Sequence, residues 1–290
     1  MPRSDALPDG ASTPPPGSTA AAGQRPLPAL ELAGGVLRPH ADRVAEEVPV
    51  ALVYNGISHA VMLATPADLE DFALGFSLTE GILRTPAELY DCEIEPGCDG
   101  IELRMEVASE RFALLKERRR SLAGRTGCGL SGIDSLQALA ADPSPVHAAL
   151  AGDTAPTADA IARALTALPD AQPLFRLTGG VHAAAWADRE GRLLLVREDV
   201  GRHNALDKLL GAAARAGLDA ATSFIVCTSR ASYEMAHKAA IRGLGLLVAV
   251  SAPTGRAIDL AERCGLTLVG FARGGRQILY SHASRLAPPA

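Results

Sequence analysis

The sequence predicts an α/β protein, a larger unit of sheet and helices preceded by a smaller α+β unit, and three observations carry this. From Val181 onward, short runs of Val, Ile, Leu and Ala alternate with stretches long enough for helices, the pattern of strands joined by helical crossovers. Ahead of them, two β-rich runs meet at Asn55-Gly56, a pair with ready access to positive φ and so to a two-residue hairpin turn. With 290 residues, 48% hydrophobic and 21% charged, the composition is that of globular domains able to bury a core.

Residues 1–27, with Pro14-Pro15-Pro16 among them, are mostly Pro, Ala, Gly and Ser. They hold too few large apolar groups to offset the entropy of ordering, so a disordered tail is expected. Residues 28–124 form the expected small unit. Its hairpin pairs residues 48–54 with 57–64, and Thr65-Pro66-Ala67-Asp68 then opens a helix, with Thr65 as the cap and Pro66 at the first helical position. Leu69, Phe72, Ala73 and Phe76 recur at helical spacing and should face the core. Two more strands, residues 90–95 and 101–107, flank a turn at Pro96-Gly97.

Residues 125–132 follow a basic run and read as a reactive loop: Arg125-Thr126-Gly127-Cys128-Gly129-Leu130-Ser131-Gly132. Glycines beside Cys128 remove side-chain walls and free the backbone, and nearby arginines favour the thiolate. The plain alternative is a glycine-rich turn that happens to hold a cysteine.

Residues 133–290 form the larger unit. Helices are expected over residues 133–140 and 158–168, then strands at 183–187 and 193–196 around a turn at 188–191, and a helix at 204–216. A strand at 223–227, a helix at 232–242, a strand at 246–251, a helix near 257–264 and strands at 266–271 and 277–280 complete it. Crossovers of this length imply a largely parallel sheet sandwiched by helices.

A net charge of -5 and a pI near 5.8 give no basic excess for nucleic acid. No apolar run approaches the roughly 20 residues of a membrane span, and no secretory pattern is present, so a cytoplasmic protein without a membrane partner is expected. The five cysteines, Cys92, Cys98, Cys128, Cys227 and Cys264, are odd in number, scattered and without C-x-x-C, which argues against a disulfide framework and a structural zinc site.

In such sheets ligands bind at the carboxyl ends of strands, where helix N-termini present backbone amides. Polar clusters fall at four of these ends: Glu198 to Asn204 with Asp199 and His203, Thr228 to Ser232 with Ser229 and Arg230, Ser251 to Arg256, and Phe271-Ala272-Arg273-Gly274-Gly275-Arg276. Their arginines can grip phosphate bidentately, so a large anionic ligand is expected, with Asp199, His203, Ser229 and Arg230 as an additional pocket. No segment is a Walker loop or a dinucleotide fingerprint. The residues assemble no catalytic zinc site, and no metal ligand is assigned. A Cys128-His203-Asp199 triad has suitable residue types, but nothing in the sequence places its members together.

Arg125 to Gly129, Thr178-Gly179-Gly180-Val181-His182-Ala183-Ala184, REDVGRHNALDKLL at 197–210, Thr228 to Met235 and Phe271 to Arg276 together resemble the FdhD/NarQ family of formate dehydrogenase accessory proteins, over about residues 49–282. The resemblance implies a sulfur carrier, or sulfurtransferase: a cysteine desulfurase loads a persulfide on the loop cysteine, which is Cys128 here. The sulfur passes to the molybdenum cofactor, molybdenum bis(molybdopterin guanine dinucleotide), before its insertion into apo formate dehydrogenase. It also implies that the larger unit is a cytidine-deaminase-like three-layer domain without zinc, that the protein is a homodimer, and that Phe271 to Arg276 bind the cofactor, Phe271 stacking on a guanine while Arg273 and Arg276 meet phosphates. The second cysteine of the family's Cys-Gly-x-Cys pattern falls on Ser131, whose hydroxyl cannot resolve a persulfide as a disulfide. Two other readings remain: a chaperone that binds cofactor and apo-dehydrogenase without carrying sulfur, and a zinc-free nucleotide hydrolase.

Overall fold

A computed structural model of the chain describes residues 23–123 and 155–286. Most of the expected tail, the Cys128 loop and the helix expected at 133–140 lie outside the described residues.

The smaller unit is a four-stranded sheet in the order β4-β3-β6-β5, made of β3 (Val48–Tyr54), β4 (Ile57–Ala64), β5 (Leu89–Pro96) and β6 (Ile101–Val107). Asn55 and Gly56 turn the first hairpin with φ of 44° and 81°, as two-residue hairpin geometry requires. The Asn55 side chain also ties that turn to β6, since its Nδ2 donates to Val107 O and its Oδ1 accepts from Val107 N. Helix α1 (Leu69–Thr79) lays Leu69, Phe72, Ala73 and Phe76 on this sheet with Val50, Leu52, Leu103 and Met105. Helix α2 (Ser109–Ala123) follows.

Thr65 does not cap α1. The cap position is Asp68, in left-handed conformation and without a side-chain cap bond. Thr65 is drawn instead into the larger unit, as described below. A second correction concerns the head of the chain: β1 (Gln24–Ala33) and β2 (Val36–Ala45) form a separate two-stranded arm, turning at Gly34-Gly35. Residues 24–27, assigned to the tail, therefore belong to a strand. Pro26, Pro28 and Pro39 hide this arm from strand propensities, because proline is rare inside sheets but tolerated where both strands are edges.

The larger unit is a six-stranded sheet in the order β12-β11-β10-β9-β7-β8. Along the chain run α3 (Ala158–Ala167), α4 (Pro173–Thr178), β7 (His182–Asp188), β8 (Leu193–Asp199), α5 (Arg202–Arg215), β9 (Ser223–Cys227), α6 (Tyr233–Ile241), β10 (Leu246–Ala249), α7 (Gly255–Cys264), β11 (Thr267–Arg273) and β12 (Arg276–Ser281). Alternate strand residues feed two cores. Trp186, Ile225, Cys227, Leu247 and Leu268 pack with α5, α6 and α7, whereas Ala185, Phe224, Val226, Val248 and Val269 pack with Ile161 and Ala164 of α3. The sheet is mixed rather than largely parallel: β9, β10 and β11 pair in parallel, but β7 runs antiparallel to both neighbours and β12 to β11. The cause is connection length, since tight turns at 188–191 and 274–275 can only reverse the chain, and parallel pairing needs a helical crossover.

The two units share a helix interface. Nearly every residue of α1 is buried because it lies between its own sheet and α5. The backbones meet at Gly75 and Gly211: a Cβ on Gly75 would sit 1.7 Å from Asp207 O, and one on Gly211 1.9 Å from Asp71 O. Only glycine allows so close an approach.

Candidate functional site

At the carboxyl edge of β9, β10 and β11, the sheet opens into a cavity of about 880 Å³. Its floor is formed by Thr228, Val250 and Ala272, its rim by Arg273, Gly274, Gly275, Arg276 and Gln277, and its opposite wall by Gly179, Gly180, Val181 and His182. Ala162, Leu165 and Thr166 of α3, with Gln172 and Phe175 at α4, close the remaining side. The rim is a β-turn: Arg273 pairs with Arg276, and Gly274 and Gly275 take φ of 58° and 76°. Positive φ at both central positions places two arginines side by side at the mouth.

Each wall has a local reason for its place. Thr228 is tied to β7 by Ala183 N, which donates to Thr228 Oγ1 at 2.9 Å. Helix α4, too short to stand alone, is held by Glu198, whose two carboxylate oxygens accept from Leu174 N and Phe175 N at 2.9 and 2.8 Å. Gly179 then ends α4 in left-handed conformation, which frees Gly180 and His182 to turn along the cavity. Burial, with Arg202 adding to it, holds the His182 imidazole below its ordinary pKa, so it stays neutral at pH 7. Gln277 donates through Nε2 to Ala158 O at 2.9 Å, while its Oε1 is buried without a partner among the described residues.

The structure thus brings Ala272, Arg273, Gly274, Gly275 and Arg276 to one cavity. Phe271 is not in the lining; its backbone is left-handed (φ 50°) and its ring lies 5.7 Å from the Arg276 guanidinium. Asp199, His203, Ser229 and Arg230 are not among the residues that line this cavity. Asp199 is fully buried, and its carboxylate is consumed by Thr65 N (3.0 Å), Gly201 N (2.8 Å), Asn204 Nδ2 (3.1 Å) and Lys208 Nζ (2.6 Å). Ser229 is buried and donates to Arg230 O, while Arg230 is exposed. His203 Nε2 lies 3.0 Å from Glu234 Oε2, beside the N-terminus of α6.

The 197–210 motif mainly joins the two units, a role the sequence did not disclose. Arg197 forks onto Asp71 Oδ2 at 2.9 and 2.8 Å. Lys208, with no exposed surface, donates to Thr65 O at 2.8 Å, and Val200 N donates to Thr65 Oγ1 at 3.1 Å. Asp207 accepts from Thr79 Oγ1 at 2.7 Å and from Lys238 Nζ at 3.0 Å, and Lys238 also reaches Glu80. Residue type was informative here, since a lysine and two aspartates in a helix-opening segment need partners if buried; the partners themselves lie in a distant stretch of chain.

Glu234 offers a pH-dependent probe of this edge. The hydrogen bond from His203 lowers the Glu234 carboxyl from its usual range to about 2. A carboxylate depressed on folding contributes stability above its unfolded pKa near 4.5 and loses it as pH falls toward 2. Glu234→Gln should therefore lower the urea midpoint relative to the parent protein at pH 6, and the two midpoints should converge as pH drops from 4.5 to 3. A constant gap across that range would show that the carboxylate's charge is not what matters.

Among the described residues no group of three His, Cys, Asp or Glu side chains could hold a metal ion, and no helix is long and apolar enough to cross a membrane. Of the described cysteines, Cys92 and Cys227 have thiols pushed up to about 11 by burial, Cys264 is buried, and Cys98 is exposed.

The FdhD/NarQ family model matches residues 45–287. A protein named sulfur carrier protein FdhD from Cupriavidus necator is 56% identical over 252 residues, spanning 87% of this chain and 86% of its own. Proteins of the same name from Xanthomonas euvesicatoria pv. vesicatoria (56% over 245 residues; 84% and 86%) and Bordetella petrii (51% over 260 residues; 89% and 92%) are similar to it as well. The crystal structure described as that of a formate dehydrogenase accessory protein from Desulfotalea psychrophila aligns with a TM-score of 0.69 at 23% identity, covering 91% of this chain and 100% of that one, which shows a shared mixed α/β fold.

Proposed function

The chain belongs to the FdhD/NarQ family, and from that premise we propose that it carries sulfur, as a persulfide on Cys128, from a cysteine desulfurase to a guanine-dinucleotide molybdenum cofactor destined for formate dehydrogenase. It acts as a sulfurtransferase, works as a pair of chains, and resides in the cytoplasm. The observation that carries the cargo half is the cavity mouth, where Arg273 and Arg276 flank a glycine turn above an opening of about 880 Å³. Paired guanidinium groups suit a pyrophosphate, and the volume is that of a site for one nucleotide-sized group. The unpartnered Gln277 Oε1 adds a base-reading element, because guanine presents N–H donors on its edge and an orphaned acceptor favours a ligand that satisfies it. The molybdenum cofactor is substrate here, and the thiolate of Cys128 attacks the terminal sulfur of the donor's persulfide, releasing the donor thiolate.

The likeness to the cytidine deaminase fold belongs to the same proposal. It is supported by α5, α6 and α7 sharing one face of the sheet and by Arg202-His203-Asn204 opening α5, where a deaminase places its His-x-Glu.

GDP titrated by calorimetry into the parent protein and into Arg273→Ala and Arg276→Ala tests the cargo site. Each variant should lose about tenfold or more in affinity, the scale of one charge-assisted hydrogen bond, and equal affinity in all three would remove the site from this cavity. The sulfur half is tested by mass spectrometry after incubation with a cysteine desulfurase and cysteine. One added sulfur atom on Cys128 is expected.

A further inference from the structure

The arm of β1 and β2 stands clear of the molecule, and its two faces differ in chemistry. Cross-strand partners put Pro26, Pro28, Leu30 and Leu32 on one face with Leu37, Pro39 and Ala41, because side chains alternate along a strand and paired residues share a side. The other face is mixed, with Arg25, Glu31, Arg38, His40 and Asp42 set among Leu27, Ala29, Ala33, Val36 and Val44. Leu30, Leu32 and Leu37 are 66%, 68% and 61% exposed. A two-stranded ribbon is marginal in water by itself, so an apolar face this regular is built to be covered.

Three features select the occupant. The prolines remove backbone donors from both strand edges, so a partner cannot simply add a strand and must instead cover the face. Among the described residues the arm packs at its base against α4, and its apolar face stays open. A matching surface exists on the outer side of the four-stranded sheet: Pro49, Ala51, Val61 and Leu63 lie together, Val61 and Leu63 being 62% and 55% exposed, over a hollow of about 390 Å³ rimmed by Glu95, Asp99 and Glu102. Glu95 and Glu102 are already paired with Arg104, at 2.7 and 2.9 Å, so the charge match is between Asp99 of the rim and Arg43, which shares the arm's apolar face opposite Pro26.

The geometry points to arm exchange between two copies of this chain, the apolar face of each arm lying on the outer face of the partner copy's four-stranded sheet. It rests on the reading that the working unit is a pair, and it specifies the contact. An arm of ten residues is about 33 Å long and about 10 Å wide, or roughly 330 Å² per face. Two arms and two receiving faces then bury about 1,300 Å², within the range of stable specific interfaces. The contact is isologous and closed, since the two-fold axis makes arm-to-face and face-to-arm the same contact, formed twice.

Light scattering on size-exclusion fractions of the full chain tests this with two variants at exposed positions, Leu30→Glu/Leu32→Glu in the arm and Val61→Glu/Leu63→Glu in the receiving face. The parent protein should have twice the 30.0 kDa chain mass, and each variant the mass of one chain, with unchanged far-ultraviolet circular dichroism. Mixing the two variants restores one intact arm-to-face contact per pair, so a heterodimer should reappear at raised concentration. An arm variant that remains dimeric would overturn arm exchange while leaving the pair intact. A monomeric parent protein would overturn both. Monomeric variants that fail to complement would overturn the arm-to-sheet contact in favour of arm-to-arm packing or cover by another part of the chain.

Discussion

A strain carrying Cys128→Ala should lose formate dehydrogenase maturation, by about 100-fold or to the level of a strain lacking the protein, as removal of a covalent nucleophile predicts. Cys98→Ala should leave maturation unchanged. The contrast is informative because the described thiols divide cleanly. Burial pushes Cys92 and Cys227 up to about 11, so almost none of either is thiolate at neutral pH, and thiolate is the attacking form. Cys264, the last residue of α7, is buried in the core against the sheet. Cys98 is exposed, in the turn between β5 and β6, far in the chain from the glycine-flanked segment. Cys128 alone combines glycines on both sides with a preceding arginine. Unchanged maturation in the Cys128→Ala strain would sink sulfur carriage and favour the chaperone reading, to which the serine at 131 is suited. Intact maturation together with an intact GDP site would then separate cargo binding from sulfur transfer.

Much of the scaffold was legible because its signals are local. The limits of β3, β4, β6 and β9 coincide with their apolar runs, and Asn55-Gly56 set its own hairpin. Sheet direction was less legible. The runs before and after 188–191 and 274–275 read correctly as strands, yet reading them as members of a parallel sheet ignored the reversal that two to four turn residues impose. The arm escaped notice for a different reason. Its alternation of Pro26, Pro28, Leu30 and Leu32 is the period-two pattern of a half-covered strand, but proline carries no strand propensity and masked it. Helix α4 depends on Glu198, more than twenty residues on, and no local rule could supply that anchor.

For the site, the strand-end rule was a good guide to place and a poor guide to role. It put Ala272 to Arg276 and Thr228 near one another, and these do line the cavity, whereas of the third strand end it is Val250 and none of residues 251–256 that does. It also nominated Asp199 and His203, whose residue types suit ligand binding and internal ion pairs equally. The deciding partner of Asp199, Thr65, lies 134 positions away, while His203 is taken up by Glu234 of the next helix. Distance along the chain is why a dense polar motif reads as a pocket when it is a joint.

That distinction yields the second large effect. Lys208→Ala should destabilise the protein by about 3–5 kcal/mol, because it leaves the Asp199 carboxylate buried without its counter-charge. That is a large share of a typical domain's stability of about 5–15 kcal/mol. The ammonium itself is held below its ordinary pKa by burial, against the pull of Asp199, so the pair survives on mutual compensation rather than on water. Lys208→Met combined with Asp199→Asn removes both charges at nearly constant volume and should recover about half or more of the loss in urea denaturation. Recovery is partial because Thr65 N and Gly201 N bond different carboxylate oxygens, and the single amide oxygen of asparagine can accept from only one of them. If Asp199 instead held a ligand, the double variant would regain stability but lose GDP binding. Joined units with an unoccupied Asp199 predict the opposite: in the folded fraction of either variant, GDP binds as in the parent protein. A cost below about 1 kcal/mol for Lys208→Ala would mean that water reaches Asp199, and the joint between α1 and α5 would then rest on Gly75 and Gly211 rather than on the ion pair.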